Sequence, residues 1–173
     1  CANNTDTQLN GSVTIATGGA WSGGNGTFTP ASDVLNPVYT PSQGEVNAGS
    51  VTLTLTTTGN GNCSPESDTM TITFDPAPTV DAGTNIDVCS NNALVSLNGG
   101  VTIATGGTWS GGAGTFNPSA SALNATYQPT AGEIAAGTLT LTLTSTGNGD
   151  CVAEEDDVLI TFTPSPTANA GAD

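Results

Sequence analysis

The chain has 173 residues, none of them Lys, Arg or His, and its 15 Asp and Glu give a formal net charge of −15. That composition excludes Schiff-base lysines, histidine general bases, histidine zinc ligands and cationic grips on phosphate, and it sets the chain against nucleic acid and anionic membrane surfaces. With no basic side chain to pair with, every carboxylate must be solvated, hydrogen-bonded or bound to a metal cation.

The remaining composition is that of an all-β protein. Threonine and valine favour strands, the 23 glycines and 10 prolines favour turns, and 35% hydrophobic residues are enough to build a core. No apolar run approaches the roughly 18 residues of a membrane-spanning helix, so direct membrane insertion is not expected. Shifting the sequence by 88 residues superposes Cys1 on Cys89, Trp21 on Trp109, Tyr39 on Tyr127 and Cys63 on Cys151; without a gap, 49 of 85 positions are identical. Two tandem domains follow, expected at 1–75 and 76–163, with 164–173 as the start of a further repeat.

In chain order, the first repeat begins at Cys1 and lacks a counterpart of Thr79–Val88, its expected first strand. Trp21 stands before Ser-Gly-Gly, Phe28 and Tyr39 follow, and Gly44-Glu45 reads as a turn. Val51, Leu53 and Leu55 alternate with threonines, and Met70, Ile72 and Phe74 form a second inward row, the pattern of strands buried on one face only. The junction Asp75-Pro76-Ala77-Pro78 holds two prolines that favour an extended, stiff connection. In the second repeat strands are expected at 85–89, 94–98, 108–110, 115–117, 125–128, 138–145 and 157–163, which suggests an immunoglobulin-like antiparallel β-sandwich. The tail Thr167–Asp173 repeats Thr79–Asn85, so the chain reads as a window on a longer array, or as a subunit whose tail completes its neighbour by strand donation.

The ordered set Trp-Ser-Gly-Gly, Gly-Thr-Phe, Ala-Thr-Tyr-x-Pro, Ala-Gly-Glu-Ile, Thr-Leu-Thr-Leu-Thr, Cys and a last Asp-Val-Leu-Ile-Thr-Phe strand resembles PKD-like repeats. These occur in giant surface adhesins and gliding-associated proteins of Bacteroidetes exported by type IX secretion. The resemblance implies an extracellular, cell-surface stalk or adhesin of tandem sandwiches, with no catalytic residues. Its expected partners are adjacent repeats or neighbouring subunits.

Four cysteines, Cys1, Cys63, Cys89 and Cys151, point to disulfides and an oxidising compartment, since pairs without histidine make a poor zinc site. Periodicity favours Cys1–Cys63 and Cys89–Cys151, each closing a loop that would contribute roughly 4 kcal/mol; the alternative joins Cys63 to Cys89. No resident cofactor is expected, with calcium as the one candidate ligand: Glu66, Asp68, Asp81, Asp87, Asp150, Glu154 and Asp156 supply unpaired carboxylates of the kind Ca²⁺ takes. The competing reading is a solvated acidic loop in which Asp68 and Asp156 cap the turn before the last strand. Trp21 and Trp109 are read as core, against a sugar-stacking platform for surface glycans. Asp68-Thr69-Met70 matches the Asp-Ser/Thr-aliphatic pattern of O-glycosylation in the resembled bacteria, at Thr69.

Overall fold

A computed structural model describes residues 1–171 and divides the chain into two units, Cys1–Ala77 and Pro78–Asp173. The last two residues of the expected third-repeat segment lie outside the described residues.

The first unit contains β1 (Thr7–Gln8), β2 (Gly18–Ser22), β3 (Thr27–Thr29), β4 (Val38–Thr40), the one-turn-and-a-half helix α1 (Gln43–Ala48), β5 (Ser50–Thr58) and β6 (Ser67–Thr73). The second contains β7 (Thr79–Asp81), β8 (Ile86–Cys89), β9 (Val95–Ser96), β10 (Gly100–Thr102), β11 (Gly106–Ser110), β12 (Thr115–Asn117), β13 (Thr126–Gln128), α2 (Ala131–Ala136), β14 (Thr138–Thr146) and β15 (Glu155–Thr163). Each unit is a two-sheet sandwich. In the second, the sheet β11-β14-β15-β8 faces the sheet β12-β13-β9, with β10 and β7 as a separate pair. In the first, β2-β5-β6 faces β1-β4-β3. The fold class is thus all-β, as tandem β-sandwiches.

Alternation along the long strands builds the core. Leu141 and Leu143 of β14, and Val158 and Ile160 of β15, are fully buried, and Phe162 nearly so, while the threonines between the leucines face outward or sideways. Val95 and Tyr127 close the core from the other sheet. Among the described residues every strand pairing is antiparallel but one: β8 runs parallel to β15, from Ile86 opposite Ile160 to Cys89 opposite Thr163. The chain reaches that place through β7, where the Ala82 amide donates to Asp156 Oδ2 (2.8 Å) and Leu159 N–H to Asn85 Oδ1 (3.1 Å). Short β7 and β10 lack a visible alternation and were not expected from the sequence.

The first unit has no such strand beside β6 among its described residues, and its core is correspondingly shallower. Met70 and Ile72 are half-buried where their counterparts Val158 and Ile160 are fully buried. A groove of about 240 Å³ opens here, between Gly11–Ser12 and Asp68–Met70, and reaches Leu55 and the edge of Trp21.

Candidate functional site

The most constrained side chains form a tyrosine–glutamate clamp, present in both units. Ser42-x-x-Glu45 and Thr130-x-x-Glu133 are capping boxes: the hydroxyl at the helix start accepts from the glutamate amide, and the glutamate reaches back to the amide before the helix. The same carboxylates do more than cap. Glu45 Oε1 accepts from the Tyr39 hydroxyl (2.8 Å) and the Asn25 amide (2.8 Å), while Oε2 takes the Ser42 amide (2.7 Å) and hydroxyl (2.8 Å). Glu133 repeats the set with Tyr127, Ala113 and Thr130.

Burial opposes ionisation of Glu45, but the Ser42 and Asn25 amides and the Ser42 and Tyr39 hydroxyls outweigh it and bring the carboxyl down to about 2. Glu133 is likewise resisted by burial and held at about 2, chiefly by the Tyr127 hydroxyl and the Thr130 amide. Burial, and donation to Glu133, push Tyr127 up to about 12. Each tyrosine hydroxyl also accepts a backbone amide, from Gly26 (2.9 Å) and Gly114 (2.7 Å). The second glycine of Trp-Ser-Gly-Gly is explained by this clamp: Gly112 has φ +70, and a Cβ there would collide with the Tyr127 hydroxyl. With four donors on each carboxylate, the clamp is a fastener tying the 23–26 and 111–114 loops to the helices, and it leaves no lone pair turned outward for a ligand. Gly44-Glu45, expected as a turn, belongs to helix α1, and the Ser/Thr-x-x-Glu spacing is the signal that marks a helix start.

Both indoles are buried, Trp21 at 7% exposure and Trp109 at 2%, and their Nε1–H groups donate to the carbonyls of Leu35 (3.0 Å) and Leu123 (3.1 Å). Both are core residues, as expected, and neither presents a face on which a sugar stacks. Thr69 stands exposed on β6, its amide donating to Asp68 Oδ1 (2.8 Å).

The candidate calcium acids are not brought together. Among the described residues no three Cys, Asp or Glu side chains converge. Asp81 Oδ1 closes a local turn onto the Gly83 amide (2.8 Å), and Asp156 is turned to Ala82. The neighbouring Glu155 and Asp157 accept from Thr144 and Thr142 across the strand pair. Asp87 points out from β8, and Asp150 lies in the β14–β15 loop. Alternation along β15 sends neighbouring acids to opposite faces, so five carboxylates close in sequence do not make one cage. Nor do Asp68 and Asp156 cap the turn before the last strand, since both lie within strands.

The cysteines overturn the pairing expected from periodicity. Cys63 and Cys89 carry free thiols, so neither Cys1–Cys63 nor Cys89–Cys151 is formed, and neither is the alternative Cys63–Cys89. Geometry within each unit shows why neither repeat closes itself. Cys89 is level with Thr163 at the end of β15, whereas Cys151 lies in the turn before β15 begins, its amide donating to Asn148 O (3.1 Å). Nine extended residues separate those levels, roughly 27 Å at 3.4 Å per residue, against the 4.4–6.8 Å between Cα atoms that a disulfide spans. In the first unit Cys1 lies at the end of β6, where Ala2 N–H donates to Asp75 O (2.8 Å) and Cys1 Sγ is 3.9 Å from Pro76 O. Cys63 lies before β6, its amide on Asn60 O (3.1 Å). Every repeat therefore carries one cysteine at its upstream pole, Cys63 or Cys151, and one at its downstream pole, Cys1 or Cys89. The shared spacing of 62 residues was visible in the sequence, but the strand running between the two positions was not.

No protein-family model matches the sequence, and no curated protein matches it. Among solved structures, the chain is similar to a protocadherin gammaB7 EC3-6 cis-dimer (15% identity, TM-score 0.35, covering 92% of this chain and 49% of that one). It is also similar to the human desmocollin-1 ectodomain (10%, 0.36, 96% and 39%) and to chicken VE-cadherin EC1-2 (14%, 0.34, 92% and 91%). The chain thus spans half or less of the first two.

Proposed function

We propose that the chain is a structural and adhesive repeat segment of a long extracellular surface protein, a stalk of tandem sandwiches of the PKD-like kind. The observation that carries this reading is the fold of both repeats into sandwiches of one plan, with the Trp, Tyr and Glu side chains that both share spent on holding the fold. Oxidised cysteines accord with a secreted setting, and the cationless, threonine-faced surface suits a material that stays soluble while exposed. Antibody raised against the chain should label intact, unpermeabilised cells and lose its target when those cells are treated with proteinase K. Labelling confined to permeabilised cells would overturn the proposal.

A second reading, a subunit completed by a donated strand, is favoured by the groove beside β6. Its occupant would have the sequence character of Thr79–Cys89, whose Val80, Ala82, Ile86 and Val88 pack on the core of the second unit. A synthetic peptide of residues 79–88 should bind the chain, alter Trp21 fluorescence and raise the melting temperature of the first unit. No binding at millimolar peptide would sink it.

A further inference from the structure

We infer that the segment Thr167–Gly171 of a second copy of this chain seats in the first unit, between Ser12–Thr14 and β6, where the Asp68 carboxylate accepts its Ala170 amide. The inference rests on the strand-donation reading and names the donor. Copies then join head to tail, the tail of each filling the first unit of the next.

The second unit is the template for this joint. There β7 pairs with β10, Thr79 opposite Thr102, Val80 opposite Val101 and Asp81 opposite Gly100, and the Thr79 and Thr102 hydroxyls lie 2.6 Å apart. Ala82 is buried, Val80 packs on the core, and the Ala82 amide donates to Asp156 Oδ2 (2.8 Å). By the 88-residue shift, the counterparts of β10 and Asp156 in the first unit are Ser12–Thr14 and Asp68. Ser12–Thr14 are not part of a strand, Asp68 is exposed, and a groove of about 140 Å³ runs between them over Leu55 and Thr57. Leu55 and Thr57 are only half-buried, whereas their counterparts Leu143 and Ser145 are buried. The groove is therefore the counterpart of the space that β7 fills.

The tail is shaped to enter it. Thr167-Ala168-Asn169-Ala170-Gly171 corresponds position by position to Thr79-Val80-Asp81-Ala82-Gly83. All five tail residues are exposed, yet they already make the turn of the seated segment. Gly171 N–H donates to Asn169 Oδ1 (2.8 Å) as Gly83 N–H donates to Asp81 Oδ1 (2.8 Å), and the two glycines have φ 84 and φ 85. Pro164 and Pro166 stiffen the approach. Residues 158–171 carry no charge, so this segment meets no repulsion from Glu66 and Asp68 at the groove, as an acidic stretch of the chain would. Donor and acceptor lie on different units, so the contact is heterologous and adds copies in an open series. Ala168 stands where the second unit has Val80, which makes the joint weak and reversible.

The test follows self-association of the 173-residue chain by sedimentation equilibrium from about 20 μM to 2 mM, in about 150 mM sodium chloride to screen the common charge. Cys63→Ser and Cys89→Ser are present throughout, so that oxidation of these thiols joins nothing. The average mass should rise with concentration. Ala168→Val supplies the side chain of Val80 and should move that rise to about ten-fold lower concentration. Ala170→Pro removes the donated amide and Asp68→Ala its acceptor, and each should move the rise at least about ten-fold higher. Mixed in equal amounts, these last two variants should associate again as dimers, because one keeps the groove and the other the tail. A constant mass, indifference to the three substitutions, or a mixture that stays monomeric would overturn the inference. So would hydrogen-exchange protection of the Val13 and Thr14 amides that depends on Ala170 but not on concentration, the mark of a tail closing on its own chain. If the 79–88 peptide binds a chain that does not self-associate, this inference alone falls and the strand-donation reading stands; if the peptide fails as well, both fall.

Discussion

At the scale of single residues, the tyrosine–glutamate clamp concentrates the polar stability of each sandwich. Tyr127→Phe removes the donor to Glu133 and the acceptor of the Gly114 amide, and should cost about 1–2 kcal/mol, or roughly 5–10 °C in the melting of the second unit. Glu133→Gln should cost about 2–3 kcal/mol, because a charge-assisted acceptor is lost and one amide hydrogen faces the donors that remain. The pH dependence has a definite sign. Glu45 and Glu133 are depressed from 4.5 to about 2, so their contribution is fully present above the ordinary carboxylate range and is lost as the pH falls from about 4.5 toward 2. Denaturation midpoints measured across that interval should fall steeply in the unsubstituted chain and more gently in a Glu45→Gln, Glu133→Gln double variant.

At the scale of elements, the two units differ in what lies beside the last strand. β15 is covered by β8, whereas β6 is an edge strand whose Met70 and Ile72 are half-buried. The first unit should therefore melt at the lower temperature. Fluorescence melting of Trp21→Phe and Trp109→Phe variants, each reporting the remaining indole, checks this; coincident transitions would contradict it. The long strands were legible in the sequence because Thr138–Thr144 and Asp157–Thr163 alternate strictly, and only one register buries Leu141, Leu143, Val158 and Ile160 together. Helices α1 and α2 were not, because six residues are too few for a 3.6-residue period to show, and only the capping spacing betrays them. The parallel placement of β8 was hidden for another reason: nothing local in Ile86–Cys89 tells it which neighbour it will join. Since that placement carries Cys89 to the far end of β15, the cysteine pairing was hidden with it.

At the scale of the whole molecule, charge acts with one sign. Fifteen carboxylates with no basic side chain repel one another across each unit and between chains, and added salt screens that repulsion beyond a Debye length of about 8–10 Å. Melting temperatures should therefore rise as sodium chloride is raised from about 10 to 150 mM, the interval over which the Debye length falls from about 30 to 8 Å. A flat response would mean that the acids are too dispersed to matter. This lack of basic residues was the plainest feature of the sequence, yet it says nothing of where the acids lie, and the scattering of the calcium candidates over opposite strand faces needed the structure.

The placement of the cysteines also decides what holds each last strand in place. Cys63 and Cys89 are free thiols, so no cystine is closed between the two cysteines of either sandwich, and β6 and β15 are kept in their sheets by ladder hydrogen bonds and apolar packing alone. A reductant therefore finds no sulfur–sulfur latch inside a sandwich to release.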